Sequence, residues 1–351
     1  MSSAMNQRPT HGGNLAWAAS IAGCSPQEIL DFSASINPLG PPQSAIDTMA
    51  TRLSDLKTYP NPDYPELKQA IAAFHQIPAE WVLPGNGAAE LLTWAALEFS
   101  QRSETVLPTP AFADYRRALQ TFGVRVREVS VWDIDTWTTD LSNTGILINN
   151  PHNPTGKLFE TSQLLPLLDR FALVLVDEAF MDFLPPAQQS SLIGLVEQFS
   201  NLVILRSLTK FYSLPGLRLG YVISQPDRVR RWQKWRDPWA VNALAVAAGI
   251  AVLADVEFQD KTLNWLERAK RRFFQDLLEI DRLSPDWGAA NFLLVKTEAE
   301  VDRLQKQLLQ KHRILIRDCL SFPALGNRYF RVAVRRELEN QKLINGIKNI
   351  L

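Results

Sequence analysis

The chain has 351 residues, enough for one large domain with its own core and a smaller one beside it. Hydrophobic residues make up 46% and charged residues 21%, the balance of a soluble globular protein, and no apolar stretch is long enough to span a bilayer. The 37 basic and 37 acidic residues cancel, which excludes a global field for nucleic acid or anionic lipid, and two cysteines, Cys24 and Cys319, exclude a disulfide framework.

Read in chain order, the first forty residues form an extended arm, with a short helix expected at 15–22. The apolar run 15–23, ending at Cys24, loosely resembles a lipoprotein leader. Its start carries Arg8, His11, Gly12 and Gly13, and Ser20 breaks it, so a cytoplasmic location is expected. Residues 31–42, DFSASINPLGPP, are too rich in proline and glycine for regular structure. After TYPNPDYPEL a helix is expected near 66–75. From there, apolar strands alternate with amphipathic helices. A helix over GAAELLTWAALEF precedes the strand TVLPTP. Next come the helix FADYRRALQTFG, the strands VRVREVSVW and GILINN, and the helix SQLLPLLDR. The strand FALVLVDEAF, a helix at 192–199 and the strand NLVILRSL close the series. Continuous Val/Ile/Leu strands between amphipathic helices imply an α/β fold with a parallel sheet covered on both faces.

Beyond LGYVIS the pattern turns to helices at 226–234, 241–253 and 259–280, then to a compact α+β unit. The expected organisation is an arm, 1–44, packing on a small C-terminal domain, 254–351, with the large domain spanning 45–253.

In a parallel α/β sheet, ligands sit at the carboxyl ends of the strands. Four polar elements fall at such ends: Gly85-Asn86-Gly87 before a helix, 149–156 after GILI, Asp177 after LVLV, and 207–210 after LVIL. Each alone has a bland reading. A strand-end lysine is usually solvated, a strand-end aspartate usually caps the next helix, and GNG lacks the GK[ST] tail of a phosphate loop. The loop NPHNPTG, with three prolines and a closing glycine, is more specific.

Together these elements resemble the fold-type I family of pyridoxal 5'-phosphate (PLP) enzymes, along almost the whole chain. The resemblance implies an aspartate-aminotransferase-like large domain with a smaller α+β domain, and PLP as cofactor. It implies that Lys210, in SLTKFYSLPGLRLGY, forms the Schiff base, and that Asp177 keeps the ring nitrogen protonated. Asn153 would donate to the phenolic oxygen. Ser207, Arg218 and the helix start Gly87-Ala88-Ala89 would grip the phosphate, with Phe112 stacked on the ring. Tyr59 resembles a tyrosine that reaches the phosphate from a neighbouring subunit, which implies a homodimer.

The nearer resemblance is to the histidinol-phosphate aminotransferase branch and, within it, to the threonine-phosphate decarboxylases of cobalamin biosynthesis. HGGN, DFSASINPLGPP, DEAFMDF, RDCLSF and YFRVAVR carry it. It implies decarboxylation of O-phospho-L-threonine to (R)-1-aminopropan-2-yl phosphate. The alternative is an aminotransferase acting on histidinol phosphate or a related amino acid. Phe180, where aminotransferases carry a tyrosine, favours the decarboxylase, with core packing as its alternative reading. Arg331 matches the family's carboxylate arginine. Arg317 is a second anion ligand that would share the substrate phosphate with His152, and His11, Gly13 and Asn37 would line the same pocket. Which arginine takes which anion stays open. The basic and tryptophan-rich RVRRWQKWRDPWAVN reads as a packing face rather than a nucleic-acid site. The four histidines lack ligand spacing for a metal.

Overall fold

The structure is a computed structural model that describes residues 8–133 and 141–351. The runs LVLVD, LVILRS and LGYVIS contain no exposed position, as expected for strands covered on both faces. They form β6 (Leu173–Asp177), β7 (Leu202–Ser207) and β8 (Leu219–Ser224). With β2 (Val82–Asn86), β3 (Glu104–Thr109), β4 (Val126–Ser130) and β5 (Thr144–Asn149) they make a sheet of order β2-β8-β7-β6-β5-β3-β4. Strand alternation divides the side chains between two apolar layers. Val174, Val176 and Ile204 face the layer holding α3 (Pro65–His75), α6 (Thr161–Arg170) and α8 (Ala243–Ala254). Leu175, Val203 and Leu205 face the layer holding α4 (Ala88–Phe99), α5 (Ala113–Thr121) and α7 (Pro226–Trp235).

The sheet departs from the all-parallel expectation at one strand. β8 runs antiparallel to both β7 and β2. The connection 208–218 carries no helix, whereas a parallel return needs a crossover of about a dozen residues or more. Two reversals leave β2 parallel to β7. The carboxyl ends Asn86, Asn149, Asp177 and Ser207 therefore meet at one edge, Asn149 opposite Asp177 and Ser207 opposite Gly220.

The helix expected at 192–199 is a single 3-10 turn, Ile193–Leu195. Its start is pinned, because the Leu192 N–H donates to Glu178 Oε1 (2.9 Å), and Glu178 is ion-paired to the buried Arg206. Conversely, α2 (Gln43–Thr51) follows directly on Pro41-Pro42, where the prolines masked a helix start.

A second, antiparallel sheet has the order β12-β13-β10-β9, from β9 (Leu283–Asp286), β10 (Phe292–Thr297), β12 (Arg317–Asp318) and β13 (Tyr329–Ala333). Around it lie α9 (Val256–Leu278), α10 (Val301–His312) and α11 (Glu337–Lys348). The N-terminal segment joins this unit. In the arm, α1 (Leu15–Ala22) is capped by Asn14, whose Oδ1 accepts the Trp17 N–H (3.0 Å), and its Ala18 and Ala19 pack on Leu309. β1 (Leu30–Asp31) pairs in parallel with β11 (Ile314–Leu315). Phe32 then donates to Leu315 O (2.8 Å) and accepts from Ala333 N–H (2.9 Å).

Where β8 passes the start of α4 there is no room for a side chain. A Cβ on Gly220 would lie 2.7 Å from Ala88 N and 2.8 Å from Arg206 O, both main-chain atoms. Gly220→Ala should therefore destabilise the protein by about 1–3 kcal/mol through forced backbone movement, read by denaturant or thermal unfolding. An unchanged midpoint would mean that α4 can step aside freely.

Candidate active site

The edge where the strands end gathers one buried carboxylate and several cations. Asp177 closes β6, and its Oδ2 accepts a 2.6 Å hydrogen bond from the Tyr115 hydroxyl on α5, while Oδ1 accepts the Ala179 N–H (3.0 Å). Burial pushes the Asp177 carboxyl up, opposed by Tyr115, the nearby Lys210 charge and Ala179. Burial first, then the Asp177 charge, holds the Tyr115 phenol well above its ordinary range, so it stays a donor.

Lys210 follows β7 on a tight turn, half-buried, with Nζ 5.2 Å from the centre of the Phe180 ring. Burial lowers its pKa; Asp177 raises it, and Arg331 and Arg218 lower it further. Phe180 is buried, edge-on to Phe292 at 5.2 Å. The position beside the lysine thus carries a ring face and no hydroxyl.

Asn153 is oriented from both sides. Its N–H donates to Asn149 Oδ1 (2.7 Å), and Asn149 Nδ2 in turn donates to the Asp177 carbonyl (2.7 Å). Arg331 Nη1 donates to Asn153 Oδ1, leaving the Asn153 amide NH2 as its available donor. Arg331 also donates to Ser33 O (3.0 Å) and lies 4.7 Å over the Phe292 ring. Arg317 stands directly opposite Arg331 across the β12–β13 pair and donates to Thr10 O and Ser321 Oγ. Among the described residues neither guanidinium forms an ion pair, and the buried Arg331 Nε has no partner. Burial, and then the Arg317 charge, pushes Arg331 down to about 10.

At the other end of the edge, Gly87 caps α4 with φ +76°, and a Cβ there would lie 2.5 Å from Arg218 Nη2. The Arg218 guanidinium therefore lies against the start of α4, whose first N–H groups, at Ala88 and Ala89, have no earlier turn to bond to. Ser207, at the end of β7, shares a hydrogen bond with Thr209 Oγ1 (2.8 Å). Phe112 caps α5; its ring lies 5.4 Å from His11 and 5.5 Å, edge-on, from Tyr115. The Gly13 N–H donates to Ser33 Oγ (2.8 Å), which ties the HGGN string to the residue that receives Arg331.

Two residues are used differently from the expectation. His152 is buried, and its Nδ1 is bonded to Thr155 Oγ1 (2.9 Å). Burial and the Lys157 charge push its pKa down to about 3 against a bond to the Pro110 backbone, so at neutral pH it carries no charge for a phosphate. Asn37 has its amide committed. It donates to Phe211 O (2.8 Å) and Thr262 Oγ1 (2.9 Å) and accepts from Leu39 N–H (3.0 Å), while its own N–H donates to Lys210 O (3.1 Å). It holds the lysine turn rather than lining a pocket. Tyr59 is 78% exposed and packs on the half-exposed Trp239 at 4.5 Å. Sequence reasoning missed Tyr115, Asn149, Ser33 and Phe292. Tyr115 had a signal, since it stands three residues after Phe112 on one helix face; the others are set by tertiary contact.

The model of the aminotransferase class I and II family matches residues 27–347. This chain belongs to that family. Within it, the chain is 40% identical to the threonine-phosphate decarboxylase of Salmonella typhimurium, over 97% of this chain and 96% of that protein. Two solved structures share the fold at a TM-score of 0.83 each. The histidinol-phosphate aminotransferase from Clostridium acetobutylicum is 28% identical, covering 92% of this chain and 99% of its own. The L-threonine-O-3-phosphate decarboxylase from Porphyromonas gingivalis is 25% identical, covering 91% of this chain and 98% of its own. The aminotransferase class I and II fold is therefore common to both activities, and overall shape does not separate them.

The neutral His152 gives a pH prediction. Its folded pKa lies below its unfolded value of 6.5, so its contribution is complete above pH 6.5 and is lost as the pH falls toward about 3. Over that window the unfolded chain takes the proton that the folded ring refuses. Stability should drop by about 1.4 kcal/mol per pH unit from this residue alone. Burial likewise pushes His75 down to about 3, so unfolding measured between pH 6 and 5 should show about twice this slope from the two rings, and His152→Gln should remove about half of it. An unaltered slope would mean that the ring protonates in place.

Proposed function

We propose that the chain is a PLP-dependent decarboxylase that converts O-phospho-L-threonine to (R)-1-aminopropan-2-yl phosphate and carbon dioxide, supplying the side-chain amine of cobalamin. The observation that carries the reading is the pair of arginines, Arg317 and Arg331, that face each other on β12 and β13 with no ion pair to either among the described residues. An amino acid bearing a phosphate ester presents two anions at once, which two such guanidinium groups match. Histidinol phosphate, an amino alcohol ester, presents one. The 40% identity to the Salmonella decarboxylase supports the same assignment.

The residues present fit PLP. Asp177 is a buried carboxylate with no ion pair among the described residues, suited to a protonated ring nitrogen. The start of α4 at Gly87, Ala88 and Ala89, with Arg218 against it and Ser207, suits the phosphate. Phe112 is placed for the ring face, Asn153 for the phenolic oxygen and Lys210 for the covalent link. Bound there, PLP supplies the electron sink for the pair of electrons left on Cα when a bond breaks.

The protein's part is to choose that bond and move the proton. Arg331 holds the substrate carboxylate and at the same time fixes Asn153, so the substrate and the electron sink are registered by one guanidinium. Arg317, near His11 and Gly13 on the arm, takes the phosphate. The carboxylate leaves as carbon dioxide, and Lys210 Nζ delivers a proton to Cα. Burial and the two neighbouring arginines lower its pKa, so that Nζ gives up to Cα a proton it takes from solvent. Tyr115 keeps Asp177 aligned, and Phe180 leaves Asn153 as the protein's donor to the phenolic oxygen.

We further infer a homodimer, in which Tyr59 serves the partner's phosphate site. The exposed Tyr59 and Trp239, with Leu53 and Leu56, offer an apolar surface for it. Units of 45–253 and 254–351 with the arm 1–44, and a cytoplasmic location, complete the reading. No described helix is long and apolar enough to cross a membrane.

The protein loaded with PLP should release carbon dioxide and amine phosphate from O-phospho-L-threonine without a keto acid. Glutamate formed from 2-oxoglutarate and histidinol phosphate, without carbon dioxide, would make it an aminotransferase instead. Lys210→Ala should abolish the visible absorbance of the lysine-bound cofactor; a variant in which borohydride still fixes PLP to the chain would move the assignment to another lysine. Arg331→Ala should lower kcat/KM by at least about a hundredfold, the scale of a lost charge-assisted pair, and leave PLP retention nearly intact. If only cofactor occupancy changed, Arg331 would not be the carboxylate ligand.

A further inference from the structure

Lys270 lies outside the constellation described above. Its neighbours on α9, Arg268, Arg271 and Arg272, are exposed, as expected for a charged helix face. Lys270 is 6% exposed, and among the described residues it has no acidic partner. Its Nζ donates to the Gly288 carbonyl and sits 4.7 Å from the centre of the Trp287 ring. Burying an ammonium in this way costs several kcal/mol, which a methionine or leucine of similar volume would avoid. Burial alone pushes it down to about 8. The carbonyl it holds therefore needs an account beyond filling space.

That carbonyl belongs to a residue pressed against the cofactor loop. A Cβ on Gly288 would lie 2.6 Å from Gly156 Cα, and a Cβ on Gly156 would lie 2.8 Å from Gly288 Cα. The next residue, Ala289, donates its N–H to Gly156 O (2.6 Å). Gly156 closes the NPHNPTG loop: its N–H donates to His152 O (2.6 Å), and the His152 N–H donates to Lys157 O (2.8 Å). Asn153 stands inside that closed turn. On the other side, the connection from Gly288 enters β10 at Phe292, whose ring lies under the Arg331 guanidinium and at right angles to the Phe180 ring.

We infer that Lys270 is a positioning residue: by holding the Gly288 carbonyl it clamps the β9–β10 connection onto Gly156 and so fixes the Asn153 amide in its working place. It touches neither substrate nor cofactor and acts through two backbone segments. The inference rests on the PLP reading for its functional consequence, but the clamp itself is a property of this chain.

The test uses the full-length protein with Lys270→Met, which keeps length and apolar volume and removes the donor, and Gly288→Ala, which leaves Lys270 in place and forces the two backbones apart. Two readouts apply. The first is deuterium exchange of the Ala289 and Gly156 amides, which needs no cofactor and should speed up by about tenfold or more in both variants as the local opening cost falls. The second is the pH midpoint of the visible band of the lysine-bound cofactor. Loss of a well-placed Asn153 donor from the phenolic oxygen should raise it by about one unit. Lys270→Arg, which keeps a donor, should stay nearer the parent on both.

A Lys270→Met protein that merely melts earlier, with unchanged amide exchange in 152–157 and 286–292 and an unchanged midpoint, overturns the inference and leaves Lys270 a packing residue. Faster exchange with an unmoved midpoint removes the link to Asn153 and also overturns it. Absence of any visible band in the parent protein is the failure of the PLP reading, and is told apart from both by the exchange result. Should Gly288→Ala fail to fold, Lys270→Met decides alone.

Discussion

Positive charge without a matching negative charge is the constraint around which this molecule is organised. Lys210, Arg218, Arg317 and Arg331 gather where the sheet strands end, with Asp177 as the buried carboxylate beside them. Arg317 and Arg331 even stand opposite each other on neighbouring strands, where like charges repel. A chain selected for stability alone would pair or bury these groups differently. Such an arrangement is stabilised when anions arrive, so the free energy withheld from folding becomes available for binding phosphate and carboxylate. The scaffold tolerates it because the sheet behind is apolar on both faces and the strand ends are tied by main-chain bonds.

Arg331 links the two halves of the chemistry. One of its nitrogens reaches Asn153 on the large sheet, another reaches Ser33 on the arm, and its face lies on Phe292 of the small sheet. Anything that moves Arg331 is thereby coupled to Asn153. Phe180 sharpens this dependence. An aromatic ring without a hydroxyl stands 5.2 Å from Lys210 Nζ, so position 180 offers no polar group beside the lysine. Tyr115 plays the corresponding part for Asp177, whose carboxylate it orients.

The arm is the third structural element of the site. Residues 31–37 run from the small sheet, where Phe32 bonds to Leu315 and Ala333, to the lysine turn, where Asn37 bonds to the Lys210 carbonyl. Asn37 also fixes Phe211 and Thr262, so the arm joins the lysine turn to α9. Its role is to hold the small sheet and the lysine turn in register.

The sequence by itself determined what local chemistry determines. Continuous Val/Ile/Leu runs declared strands covered on both faces, and NPHNPTG, SLTK and the strand-end Asp177 declared the site, because each depends on residues close together in the chain. The fully apolar pattern could not report strand direction, since a strand buried on both sides reads alike in either sense; the short connection before β8 decided it. Nor could the sequence report that His152 is neutral or that Asn37 has no free amide hydrogen. Both facts depend on burial and on partners as distant along the chain as Thr262. The Tyr115–Asp177 bond, the clasp of Gly156 on Gly288 and the meeting of Arg331 with Asn153 join segments separated by tens to hundreds of residues. Nothing in local pattern encodes such contacts, and only the packing of the tertiary structure brings them within hydrogen-bonding distance.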